Sequence, residues 1–115
     1  MSNPNLETIQ QLAVKVTRPV DLGEYADDYA GKQLQVWVNC PGVVEESFKD
    51  HDDETFYPAA RRSVAMLYEL PLELVETLDD GFVFFLYIKG TDLYGEYHKS
   101  LKKKSAEPSN TAKSE

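Results

Sequence analysis

The chain has 115 residues, 42% of them hydrophobic and 28% charged, with a formal net charge of −8. That length gives one domain with one hydrophobic core. From Lys99 onward the net charge is +3, which leaves −11 on residues 1–98, and a body so acidic repels nucleic-acid backbones. The single cysteine, Cys40, excludes an internal disulfide and fits folding in a reducing cytoplasm. The opening residues lack the basic and apolar regions of a secretory leader. The apolar run at residues 82–88 is too short to span a bilayer.

In chain order, residues 1–5 read as a polar leader that frays. Over residues 9–18, Leu12, Val14 and Val16 alternate with Ala13, Lys15 and Thr17. The alternation predicts a half-buried strand, ended at Arg18-Pro19 because proline brings no N–H to a ladder. Residues 20–31 form an acidic connection punctuated by Gly23 and Gly31, in which Tyr25 and Tyr29, four apart, pack the connection onto the body. The clearest strand covers residues 32–39, where Leu34, Val36 and Val38 alternate with Gln33, Gln35, Trp37 and Asn39 before Pro41-Gly42 stops it. The two strands are expected to pair antiparallel. A bare pair is marginal in water, so the helices that follow must cover one face.

Residues 45–54 hold six acids, Glu45, Glu46, Asp50, Asp52, Asp53 and Glu54, around His51. A calcium loop would need alternating ligands and a central glycine, and a zinc site more histidine or cysteine. The run therefore reads as a solvated acidic loop with no metal. Residues 55–69 predict a helix with Pro58 in its first turn, Phe56, Ala60, Val64 and Leu67/Tyr68 on one face, and Arg61 and Arg62 on the other. After Pro71, residues 72–77 predict a short amphipathic helix built on Leu72, Leu74 and Val75.

Residues 79–103 hold most of the apolar mass and admit two readings. The β-branched and aromatic run at 82–88 favours a strand, with Lys89-Gly90-Thr91-Asp92 as a turn. Leu78, Phe82, Phe85/Leu86, Leu93, Tyr97 and Leu101 instead recur at helical steps, with Asp79-Asp80 at the N-terminal end and Lys102-Lys103-Lys104 at the C-terminal end. The helix is preferred because its register extends past the apolar run and both ends carry the right charge. The fold expected is thus α+β: an N-terminal two-stranded antiparallel β-hairpin packed on a C-terminal helical subdomain of two to three helices. Residues 1–104 form one globular domain, with the strand pair in 9–40 and the helical part in 55–104. Residues 105–115, with no apolar anchor beyond alanine, form a disordered tail.

No nucleophile–base pair is evident. Only His51 and His98 are present, no glycine-rich phosphate loop exists, and Cys40 has no evident cation to lower its pKa. A non-enzymatic protein without a cofactor is expected. The informative feature is apolar excess. Phe82, Phe85 and Leu86 fall on the core register, whereas Phe84, Tyr87, Ile88 and Tyr94 fall off it. Either a compact core wraps the helix on all sides, or the surplus face binds a partner or a second copy. Trp37, among polar residues of its strand, either covers the sheet or anchors a partner.

Residues 18–25 (Arg-Pro-Val-Asp-Leu-Gly-Glu-Tyr) through Gly31-Lys32, then Val36-Trp37-Val38-Asn39-Cys40-Pro41, resemble the opening of small bacteriophage tail assembly chaperones. Leu70-Pro71 and the closing Leu93-Tyr94 and Tyr97 are similar too, so the resemblance spans most of residues 12–104. It implies a non-enzymatic protein of the host bacterial cytoplasm that binds the hydrophobic tape measure protein and keeps it soluble until the tail tube forms. It also implies no nucleic-acid or membrane partner, and a longer frameshifted form in many relatives. The alternatives that stay open are an acidic nucleic-acid-mimic inhibitor, another small protein-interaction adaptor, and a small enzyme or ligand-binding domain, which would need a concave pocket with convergent polar groups. Acid along one continuous face favours the mimic, and acid confined to the loops counts against it.

Overall fold

The chain begins with a helix. The computed structural model describes residues 3–42 and 53–106, and α1 spans Pro4–Leu12. The Asn3 side chain accepts from the N–H groups of Asn5 (2.9 Å) and Leu6 (3.2 Å), Pro4 occupies the first turn, and Glu7 lies there too. These are start signals of a helix, and they satisfy orphan N–H groups that a strand would leave to a partner. The strand expected from residue 9 is therefore corrected. Leu6, Ile9 and Leu12 recur every third residue, and the two-residue alternation from Leu12 to Val16 merely overlaps them.

The first strand, β1, spans Thr17–Asp21 and pairs antiparallel with β2, Gln33–Trp37. Thr17 stands opposite Trp37 and Val20 opposite Leu34. Pro19 lies inside β1, opposite Gln35, and does not end it. The reason is the direction of its backbone. The Val38 N–H donates to the Val16 carbonyl and the Leu22 N–H to the Lys32 carbonyl, both at 2.9 Å. Even-numbered residues of β1 thus turn their backbone groups to β2, and Pro19 turns its missing N–H to the free edge.

Two 3₁₀ turns, Leu22–Glu24 and Asp27–Tyr29, make the connection. As expected, its tyrosines pin it. The Tyr25 ring lies 4.9 Å from Phe82 and 5.3 Å from Phe85, and Tyr29 lies 5.9 Å from Phe82.

Three helices follow: α2 (Asp53–Leu67), α3 (Leu72–Val75) and α4 (Asp80–Ala106). Residues 82–88 are helical, so the strand reading of that run falls. Because α2 starts at Asp53, Pro58 lies inside it and forgoes one intrahelical bond. Most of the acidic stretch, residues 43–52 including His51, lies outside the described residues. Of the expected tail, residues 105 and 106 end α4, and residues 107–115 lie outside the described residues.

The architecture is α+β, with α4 packed on both strands and on α2. Val36 from β2 and Val38 just after it, Val64 and Leu67 from α2, Val75 from α3, and Val83 and Leu86 from α4 are fully buried. This corrects the expected register of the last helix. Its core line is Val83, Leu86 and Gly90, while Phe82 and Phe85 are half-buried flank residues under the tyrosines and Leu101 is exposed. The chain approaches most closely at Gly90, where an added Cβ would lie 3.0 Å from Leu67 Cδ1. Arg61 joins the remaining ends. Its Nη1 donates to the carbonyls of Val75 (2.7 Å) and Leu78 (3.0 Å), and its Nη2 pairs with Asp80 at the start of α4. A cation thus meets the carbonyl end of α3.

Candidate functional site

Successive residues of a helix step round its axis by about 100°. With Val83, Leu86 and Gly90 facing the core, Tyr87 and Tyr94 fall on one flank, Phe82 and Phe85 on the other, and Phe84 and Ile88 on the outer face. The structure follows this geometry. Phe84 is 43% exposed and Ile88 38% exposed, whereas Tyr87 and Tyr94 are half-buried and pack against the core. Tyr87 meets the edge of Phe56 at 5.5 Å. Burial raises the phenol pKa values of both Tyr87 and Tyr94 above their ordinary value.

The four surplus residues read from the sequence therefore divide. Phe84 and Ile88 stand together in solvent, and Tyr87 and Tyr94 form the shoulder behind them. Trp37 is elsewhere. It shares a sheet face with Gln33 and Gln35, opposite to that of buried Val36. Its ring carries the Lys15 ammonium at 4.8 Å, and its Nε1 is buried without a hydrogen-bond partner among the described residues.

Phe84 and Ile88 line a shallow concavity of about 240 Å³ with Gly81, Phe85 and Lys89. Gly81 contributes no side chain, which opens one end. Asp79 shapes that end, because its Oδ2 accepts from the Phe82 N–H (3.2 Å) and from the Tyr25 hydroxyl (3.4 Å). Gly81, Phe85 and Lys89 were not read from the sequence as site residues. The signal was present: 81, 84, 85 and 88 are spaced three and four apart on one face.

Lys89 separates this concavity from an acidic groove between β1 and α4, lined by Asp21, Glu24, Asp92 and Glu96 among others. Its ammonium pairs with Glu24, and that hydrogen bond raises the lysine pKa. The acid is thus not confined to loops, since Asp92 and Glu96 bring it onto the helix.

Cys40 and His98, the described residues among those sought for chemistry, make contacts within the fold. Cys40 is buried, its Sγ 3.8 Å from the Met66 carbonyl, and burial pushes its thiol pKa up. The His98 ring stacks on Tyr94 with 4.2 Å between centroids, and its Nδ1 lies 2.9 Å from the Tyr94 carbonyl. Among the described residues no cluster of three metal-ligating side chains occurs, and no helix is long and apolar enough to cross a membrane. No protein-family model matches the chain, nor does any curated protein or solved structure. The functional reading rests on the geometry of this face.

Proposed function

We propose that the chain is a non-enzymatic assembly chaperone of the phage tail type, which holds an apolar helix of the tape measure protein on the outer face of α4 in the host bacterial cytoplasm. The observation that carries this reading is the apolar concavity of Gly81, Phe84, Phe85 and Ile88, left in solvent on an otherwise acidic body. An amphipathic helix buries its apolar stripe in such a groove through anchors three and four residues apart. The surrounding net charge keeps the complex dissolved while the apolar partner is shielded. Each large apolar side chain fully buried contributes about 1.5–3 kcal/mol. Three anchors contribute at most about 9 kcal/mol before ordering costs, so binding is no tighter than about micromolar, which suits a chaperone that must release its client. The test is co-expression with the tape measure protein of the same phage. The soluble fraction of that protein should rise several-fold when the chain is present, and an unchanged fraction would remove this reading.

A nucleic-acid mimic is the second reading. The acids of the groove between β1 and α4 favour it. Lys89 at the edge of that groove, and Arg18 over Tyr97 (5.6 Å) in the adjoining depression, interrupt the negative face a mimic would present.

A further inference from the structure

The N-terminal helix is a second unpartnered apolar feature of the chain. None of its residues is buried, and Leu6, Ile9 and Leu12 are 53%, 59% and 71% exposed. These three lie at successive three-residue steps and so form one side of α1. A capped helix with an apolar side and, among the described residues, nothing beneath it is suited to lie in a groove. The chain has such a groove on the outer face of α4.

That groove is beyond the reach of the α1 tethered to it. Along β1, Asp21 and Val20 lie beside Lys89 and Leu93, and Arg18 lies beside Tyr97 and Ser100. The chain before Thr17 therefore leaves from the C-terminal half of α4. From Tyr97 back to Phe84 is roughly 20 Å along the helix axis, at about 1.5 Å per residue. The tether is also fixed. The Asn39 side chain donates to the Val14 carbonyl (2.8 Å) and accepts from the Val16 N–H (2.9 Å), and Lys15 pairs with Glu69. Only Ala13 separates the clasped Val14 from α1. The helix itself, Pro4–Leu12, is about 14 Å long, shorter than the distance to be covered.

We propose that α1 of one copy docks in the α4 concavity of a second copy, and that reciprocal exchange closes a twofold dimer. Leu6, Ile9 and Leu12 of one copy cover Phe84, Phe85 and Ile88 of the other. Glu7, the charged residue of α1, lies on the side opposite Ile9 and stays in solvent when the apolar side docks. The dimer hides both grooves, so a client helix competes with α1 for its site. This holds whatever the client is, and it can fail without touching the chaperone reading.

The test is the oligomeric state of the full chain, measured by light scattering on a sizing column from micromolar to several hundred micromolar. The parent chain should move from monomer to dimer. Ile9→Asp alters only α1, and Ile88→Asp alters only the concavity, with Phe84→Ser as the replacement if Ile88→Asp loses its helical signal. Each variant alone should stay monomeric over the whole range. Mixed in equal amounts they should form a dimer again, at least tenfold weaker than the parent, because one intact helix then meets one intact groove. A parent chain that is monomeric throughout, variants that still dimerise, or a mixture that stays monomeric would each overturn the proposal.

Discussion

The Tyr68 hydroxyl donates to the Leu86 carbonyl at 2.7 Å, a hydrogen bond from the end of α2 to the backbone of α4. A side chain reaches helix backbone only where the two helices come close. Gly90, one turn on from Leu86, provides that approach: a Cβ there would meet Leu67 Cδ1 at 3.0 Å and Tyr68 Cε1 at 3.3 Å. The contact fixes the rotation of α4 about its axis. It turns Val83 and Leu86 inward, and with them turns Phe84 and Ile88 out.

Two glycines of one helix should then respond oppositely to alanine. Gly95 has nothing within 4 Å of an added Cβ and is exposed, so Gly95→Ala should stabilise the fold by about 1 kcal/mol through helix propensity alone. Gly90→Ala gains the same propensity, but its methyl enters a packed interface where overpacking costs about 1–3 kcal/mol. The net should be destabilising by roughly 1 kcal/mol. Urea midpoints of the two variants should move in opposite directions, and equal stabilisation would show that the helices do not meet at Gly90.

Burial raises the Tyr68 phenol far above its ordinary pKa of 10.0. Below pH 10 the folded and unfolded chains both hold the proton. Above it the unfolded phenol ionises first, so stability falls as pH rises from about 10 toward the folded value, by up to about 1.4 kcal/mol per pH unit for one group. Tyr25, Tyr87 and Tyr94 are shifted the same way and add to the slope. Tyr68→Phe should cost about 1 kcal/mol at neutral pH, for the lost hydrogen bond, and should flatten the alkaline loss. Denaturation midpoints between pH 8 and 11 check this. An undiminished slope in the variant would mean that Tyr68 ionises freely in the folded chain.

Asn39 extends the ladder past the last strand pair by bonding Val14 and Val16 at once. Asn39→Ala removes both bonds and should destabilise by about 1–2 kcal/mol. Hydrogen exchange should speed up at the Val16 amide and change little at Val38, whose N–H donates to the Val16 carbonyl. Equal acceleration at both amides would place the loss in the sheet as a whole.

Much of this fold is legible from residue order, for reasons that can be named. Leu34, Val36 and Val38 alternate cleanly because one sheet face is buried. The last helix announces itself in the sequence through Asp79-Asp80 at its start and three lysines toward its far end, the order of charge that a helix dipole favours. The misreadings come from signals that overlap. Leu6, Ile9, Leu12, Val14 and Val16 satisfy a three-residue step at one end and a two-residue step at the other, and only the Asn3 cap separates the two. Pro19 reads as a strand end because a sequence does not say which backbone groups face a free edge. On α4, large aromatic residues draw the eye to Phe82 and Phe85, yet the tightest place belongs to Val83, Leu86 and Gly90, since the approach of α2 selects small residues. Phe84 and Ile88 read as surplus because they lie off the register that reaches the core, and both are exposed. Tyr87 and Tyr94 fall off the same register, and the sequence does not show that Phe56 packs on Tyr87 or that His98 packs on Tyr94.

The central claim is that the outer face of α4 holds an apolar helix. It is tested most directly by titrating a tape measure segment with that pattern into the parent chain and into Ile88→Asp, by calorimetry. Ile88 is 38% exposed, so the variant should stay folded, with a melting temperature lowered by about 5 °C. Its dissociation constant should rise at least tenfold, the equivalent of about 1.4 kcal/mol, because a charge would enter the buried contact. A folded Ile88→Asp chain that binds the segment as tightly as the parent would contradict the account.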